Sequence, residues 1–277
     1  MTVIIATYDW KSVLPYSIGS VLAQTFTDWE LLVVGDACRD GSEAVVQGIG
    51  DPRVRWINLP AHTGHQSGPN NEGIRRAAGE LIAYLGHDDL WLAHHLAVLV
   101  AAIDRGAGLA YGITEMVAPG GAWVEPAPRG LGPYRPGQWI PPTAVVHRRA
   151  AAVAAGGWRH PYDAGVDPEA ELWQRIAEGG AELAFVPRLT AVKFPASARR
   201  DVYRHRPHEE QARCLERIRI ESDFEARELA RMLELAQRVS WRTLARRRWT
   251  RLQTRLWELV GYRRGVFERR RRFKGLD

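Results

Sequence analysis

Four short apolar runs in the first third of the chain set the strongest limit on what it can fold into. They are Val3 to Ala6, "WELLVVGD", "RVRWINL" and "LIAYLG". Each is too short for a buried helix and reads as a strand, Val3 to Ala6 and "WELLVVGD" with the continuous apolar pattern of strands buried in a sheet. Helical spacing separates them. Tyr16 to Gln24 carries Ile18, Val21 and Leu22, a second helix covers Glu43 to Ile49, and "GPNNEGIRRAAGE" opens a third. Strand and helix in alternation predict βαβ units and a mainly parallel sheet with right-handed crossovers. Ligands of such sheets bind beyond the carboxyl ends of the strands. Asp9, Asp36 and the pair Asp88-Asp89 all fall just after such ends. Two adjacent like charges where a buried strand surfaces call for a reason. Either they cap a helix formed by "LWLAHHLAVLVAAI", or they face a cation.

Further along, Pro119 to Pro142 is rich in Gly and Pro, and so long a loop in a compact domain is often functional. "TAVVHRRAAAVAAGGW" reads as a strand and a helix capped by Gly156-Gly157, "PEAELWQRIAEGG" as a helix ending at Gly179, and "AELAFVP" as a last strand. From about His208 the pattern is helical only. One stripe runs through Leu215, Ile218, Ser222, Ala226, Leu229, Leu233 and Ala236, and a second through Trp241, Ala245, Trp249, Leu252, Leu256 and Val260.

At 277 residues and 45% hydrophobic content the chain can bury a sizeable core. Cys38 and Cys214 are its two cysteines, too far apart in sequence for a disulfide framework or a zinc motif, which suits a reducing compartment. The opening "MTVIIATY" has no basic segment leading an apolar one, so no signal peptide is expected. No apolar run approaches the ~18 residues of a membrane span. The net charge of +6 is uneven. Residues 238–277 hold 14 Lys or Arg against three acids, a net +11, which leaves −5 for residues 1–237. Patterns for dinucleotide or P-loop binding and Ser-His-Asp or Cys-His arrangements are absent, which argues against hydride transfer, kinase and acyl-transfer chemistry.

Four blocks, "VIIATYDW", "SVLAQTFTDWELLVVGDACRDGS", "NNEGIRRAAGELIAYLGHDDLW" and "GGWRHPYDAGVDPEAELWQRIAEGG", resemble in order and spacing the family 2 glycosyltransferases. The resemblance covers roughly residues 1–195. It implies a GT-A fold, an α/β Rossmann-like architecture with a mainly parallel central sheet flanked by helices. Residues 1–205 would form that domain and residues 206–277 a strongly basic helical extension. It also implies an inverting transferase, hexosyltransferase in type, that moves a sugar from a nucleotide-diphosphate sugar, with uridine the expected base, to an acceptor hydroxyl.

The family's chemistry accounts for the acids. A sugar diphosphate brings negative charge to the bond that breaks, and a divalent cation, Mn²⁺ or Mg²⁺, held by carboxylates and phosphates offsets it. The family's D-x-D-D run reads Gly86-His87-Asp88-Asp89 here, so its first acid is replaced by glycine. By position, one of Asp88 and Asp89 binds the metal and the other the ribose, with the assignment open between them. The donor pocket implied by the resemblance comprises Thr7, Tyr8, Asp9, Asp36, Asn70, His87 and Asp88. In it Tyr8 stacks on the nucleobase and Asp36 accepts a base N–H, while Pro69 replaces an arginine usual beside the donor.

Inversion needs a general base on the acceptor hydroxyl. The family's acidic pair before an aromatic helix aligns with Pro168-Glu169, which makes Glu169 the expected base, with Asp167 as the alternative if the loop shifts. Both also suit the N-terminus of a helix that begins at Pro168. Trp139, His147, Arg148 and Trp158 are weaker candidates for the acceptor side, with core packing an equal reading for the tryptophans. The acceptor is expected to be a glycan, a lipid-linked sugar or another hydroxyl compound, and nucleic acid is not expected. The arginine-rich tail with Trp241, Trp249 and Trp257 suits peripheral attachment to an anionic membrane from the cytoplasmic side. Packing of that stripe on the catalytic domain or a partner is the competing reading. A non-catalytic nucleotide-sugar or glycan-binding module on the same fold is the alternative function.

Overall fold

The computed structural model describes residues 1–119, 121–122, 132–164, 167–237 and 263–276. Nine strands form one sheet in the order β3-β2-β1-β4-β8-β6-β9-β5, with β7 (Gly121–Ala122) paired to β6. The first half is β1 (Thr2–Thr7), β2 (Glu30–Gly35), β3 (Val54–Asn58) and β4 (Leu81–Gly86), all parallel. The helices α1 (Leu14–Leu22), α2 (Ser42–Gln47) and α3 (Ser67–Arg76) connect them. Period-2 alternation sends Val3, Ile5, Leu31, Val33, Ala83 and Leu85 into one hydrophobic cluster and Ile4, Leu32, Val34, Ile82 and Tyr84 into the other. A strand buried on both faces must be apolar at every position, which is why these runs are so legible.

Beyond β4 the sheet is mixed. β5 (Leu90–Trp91), β6 (Leu109–Ala118), β8 (Val145–Arg148) and β9 (Leu183–Lys193) place β8 antiparallel between β4 and β6, while β6 and β9 are parallel. Helix α4 (His95–Asp104) connects β5 to β6, and α5 (Arg149–Ala154), α6 (Pro161–Ala164) and α7 (Pro168–Glu178) connect β8 to β9. The residues expected to form the first turn of a long helix, Leu90 and Trp91, instead pair with Val192 and Ala191. Neither Asp88 nor Asp89 therefore caps α4, which starts only at His95.

After the short helix α8 (Val202–His205), the predicted single stripe is split into α9 (Glu209–Ile220) and α10 (Phe224–Gln237) by a break at Glu221 to Asp223. Leu215 and Phe224 enter a cluster with Leu90, Ile113, Val192 and Phe194. Each buried apolar side chain of this size contributes about 1.5–3 kcal/mol, so both helices are fastened to the sheet. A C-terminal helix, Arg263–Lys274, returns to the domain and packs near α6 and α8, where Asp201 N–H donates to Phe273 O at 2.8 Å. The tryptophan stripe at 241, 249 and 257 lies outside the described residues. Among those described, no helix is long and apolar enough to cross a membrane.

Candidate active site

The parallel register fixes where the loops open. Thr7 lies opposite Gly35 and Ala6 opposite Gly86, so β1, β2 and β4 end at one level. Tyr8-Asp9, Asp36 and His87-Asp88-Asp89 consequently ring one mouth.

Asp9 adopts a left-handed φ of 53° that turns the chain after β1. Its carboxylate accepts from Arg39 N–H at 2.7 Å, its own N–H meets Cys38 Sγ at 3.2 Å, and Arg206 stands 4.0 Å away. It thereby joins two loops of the mouth. Asp36 is buried, and its carboxylate accepts from Thr63 N–H at 2.8 Å, the Thr63 hydroxyl at 2.9 Å and Gly64 N–H at 3.2 Å. His62 Nδ1 lies 2.8 Å from the same carboxylate, and the His62 ring stacks on Tyr8 at 4.1 Å and 27°. Thus a single imidazole of this chain fills both places expected for a nucleobase, above Tyr8 and against Asp36. Thr7 Oγ1 is buried with no hydrogen-bond partner.

The loop that carries His62 is tied from outside. Arg271 of the C-terminal helix donates to Gly64 O at 2.9 Å. Burial first, and then the charges of His160, Lys274 and Arg271, push His65 down to about 3, so its imidazole is neutral. Cations therefore gather at the rim of the mouth, as an anionic ligand would require. Asn70 is buried on α3, and its neighbour Asn71 clasps the Trp158 backbone with bonds of 2.9 and 2.8 Å.

Asp88 and Asp89, adjacent in sequence, have different surroundings. Asp89 is fully buried and accepts from Lys193 Nζ at 2.8 Å, Phe194 N–H at 3.0 Å and the Thr143 hydroxyl. His87 Nε2 stands 4.0 Å from the Asp88 carboxylate, and the Asp88 carbonyl accepts from Gln211 at 3.3 Å. Burial, and then the charge of Asp89, raises the Asp88 pKa. His87 stacks on Trp10 at 4.6 Å, meets Ala6 O through Nδ1 at 3.2 Å, and is held neutral by burial. Among the described residues no cluster of three or more His, Cys, Asp or Glu could hold a metal unaided. A hard cation shared with substrate phosphates needs only one or two carboxylates. Asp88, desolvated and with no charged side chain hydrogen-bonded to it among the described residues, fits that requirement.

Glu169 is the second residue of α7, after Pro168. Its Oε1 accepts from Trp139 Nε1 at 2.8 Å, which orients the carboxylate. Burial and then the charge of Asp167 raise its pKa, while Trp139 and Lys193 pull it back. Asp167 sits at the helix N-cap position without making a side-chain cap bond. Trp139 thus joins the site through Glu169.

Three acceptor-side expectations are corrected. His147 and Arg148 lie opposite Ile82 and Leu81, at the start of β4 and not at the end where the acids emerge. His147 is fully buried on the Tyr84 hydroxyl at 3.0 Å, and Arg148 donates to Ile103 O at 3.1 Å. Trp158 is a core residue, edge-on to Tyr84 and Trp173. Sequence reasoning missed Lys193, Thr143 and the grip of His62 and Thr63 on Asp36. Lys193 carried a usable signal, since a cation inside the apolar run "LTAVKF" is costly to bury unless paired.

A UDP-Glc:alpha-D-GlcNAc-diphosphoundecaprenol beta-1,3-glucosyltransferase of Escherichia coli is 30% identical over 118 residues, covering 42% of this chain and 46% of that protein. A GalNAc(5)-diNAcBac-PP-undecaprenol beta-1,3-glucosyltransferase of Campylobacter jejuni is 29% identical over 117 residues, covering 40% and 37%. The matches thus span less than half the length of these two curated relatives. Among solved structures, the Pyrobaculum calidifontis mannosyltransferase PcManGT, in complex with GDP-Man and Mn²⁺, superimposes with a TM-score of 0.60 at 19% identity over 95% of this chain and 86% of that one. Staphylococcus aureus TarS 1-349 in complex with UDP-GlcNAc gives 0.60 at 18% over 70% and 58%. The fold is therefore GT-A, as the resemblance implied. The model of glycosyl transferase family 2 matches residues 2–153, more than half of the chain. This protein belongs to glycosyl transferase family 2.

Proposed function

We propose that the chain transfers a sugar, with inversion, from a nucleoside-diphosphate sugar to an acceptor hydroxyl. The observation that carries this reading is the position of Lys193. Its ammonium bonds Asp89, and its charge acts on Asp88 and Glu169 as well. In this reading the strand-end acids and the desolvated base face one space, where donor sugar and acceptor would meet. A binding module has no use for such a base.

In this scheme the nucleobase takes the place of the His62 ring on Tyr8 and Asp36, and Thr7 Oγ1 gains a partner. Asp88, with the donor's phosphates, would hold Mn²⁺ or Mg²⁺. When bound, that cation offsets the charge of the departing diphosphate. Glu169, oriented by Trp139, takes the acceptor proton as the hydroxyl oxygen attacks the anomeric carbon, and the sugar–phosphate bond breaks on the opposite face. The C-terminal cations add favourable potential at the mouth. Relatives named for diphosphoundecaprenol-linked sugars support a lipid-linked acceptor, and the basic tail would bring the chain to an anionic membrane surface.

Thermal shift of the full chain with UDP, GDP and their sugars, each with and without Mn²⁺, tests the reading. Stabilisation by a uridine nucleotide that grows with Mn²⁺ is expected. If no nucleotide or nucleotide sugar raises the melting temperature under either condition, the proposal fails.

A further inference from the structure

Lys193 is a partly buried cation beside the strand-end acids to which the family pattern gives no role. Its position follows from strand register. β5 and β9 run antiparallel with Leu90 opposite Val192, so the next residues outward, Asp89 and Lys193, are cross-strand neighbours. Their ion pair spans 2.8 Å, with the Asp89 side chain fully buried. Burying a charge pair is tolerated only when further hydrogen bonds satisfy the remaining lone pairs. Phe194 N–H and the Thr143 hydroxyl do so here, and Asp89 has no oxygen left facing the mouth unbonded.

The same lock explains the glycine at the head of the acidic run. A Cβ on Gly86 would lie 2.5 Å from Asp89 Oδ2 and 2.9 Å from its Cγ. The Asp89 carboxylate folds back over the bare backbone of residue 86, a position it could not hold beside an acid there. Loss of the first acid and capture of the last one by a lysine are thus one arrangement.

We propose that Lys193 is a positioning residue that withdraws Asp89 from the strand-end cation site. Asp88 is then the single carboxylate through which the chain holds a divalent cation together with a donor diphosphate. The inference rests on the donor-binding reading above.

Mn²⁺ itself is the probe, titrated into the full chain with and without UDP and followed by the electron paramagnetic resonance of the free ion. Asp88→Asn should weaken Mn²⁺ binding about 10–100-fold, and the isosteric Asp89→Asn by less than about threefold. Lys193→Met removes the charge that pairs with Asp89 and should tighten Mn²⁺ by about tenfold, a gain that the double variant Asp89→Asn/Lys193→Met should cancel. An Asp89→Asn protein that loses Mn²⁺ as strongly as Asp88→Asn while still binding UDP overturns the inference. So does a folded Lys193→Met protein with unchanged Mn²⁺ affinity. Should Lys193→Met not fold, the contrast between Asp88→Asn and Asp89→Asn decides alone. A wild-type chain that binds neither UDP nor GDP overturns the transferase reading instead.

Discussion

The two halves of the sheet deliver their residues to the mouth by different routes. In the parallel half, Tyr8, Asp36 and Asp88 each follow their own strand within two residues, and register alone brings them level. In the mixed half, Thr143 precedes β8, Lys193 ends β9, and Glu169, in the first turn of α7, has its carboxylate bonded by Trp139, thirty residues earlier. The first half is a scaffold with ligand groups at fixed places, and the second is a set of long-range bonds that tunes them. Substitutions of the bonded groups in the second half should therefore change chemistry more than they change the fold, and those inside the strands of the first half the reverse.

The largest expected effect lies in the mixed half. Glu169→Gln keeps the Trp139 bond but cannot take a proton, and should lower turnover by about 10²–10⁴-fold with donor binding retained. Steady-state kinetics beside nucleotide titration checks this, and a variant with most of its turnover would remove Glu169 from its role. In the parallel half, Gly86→Asp restores the family's acid but drives a Cβ and a charge against Asp89. It should cost about 1–3 kcal/mol of stability, read as a lower denaturant midpoint. An unchanged midpoint would mean that Asp89 does not sit over residue 86.

The smallest effect concerns pH. A base must be ionised to act, and the Glu169 pKa is raised, so activity should be present above that pKa and lost as pH falls through it. Asp167→Asn removes a neighbouring negative charge that favours the protonated form. The acidic limb of the pH–rate profile should move to lower pH. Trp139→Phe removes a donor to the carboxylate and should move it to higher pH. Movement in the opposite directions would break the assignment.

Legibility in the sequence followed burial. β1, β2 and β4 announce themselves because both faces are covered and no polar residue is tolerated inside them. β6, in the middle of the sheet, was not anticipated. It carries Gly112, whose bare face backs onto Thr190, together with Thr114 and the buried Glu115, a polar content that breaks the apolar run. Glu115 is tolerated there because Arg231 of α10 pairs with it, a contact across 116 residues that no local pattern encodes. The break between α9 and α10 was missed for a related reason, since one apolar stripe can continue through a turn when both helices bury against the same sheet edge.

By itself the sequence determined the alternation of strand and helix, the acids at the strand ends and a carboxylate at the start of α7. These are local consequences of which residues can be buried and which must surface. Only the tertiary structure decided that Asp89 is bound by Lys193 while Asp88 is not. The same holds for His62 on Tyr8 and Asp36, and for His147 at the far end of β4. Each depends on strand register or on a loop folding back, and so on contacts between residues far apart in the chain.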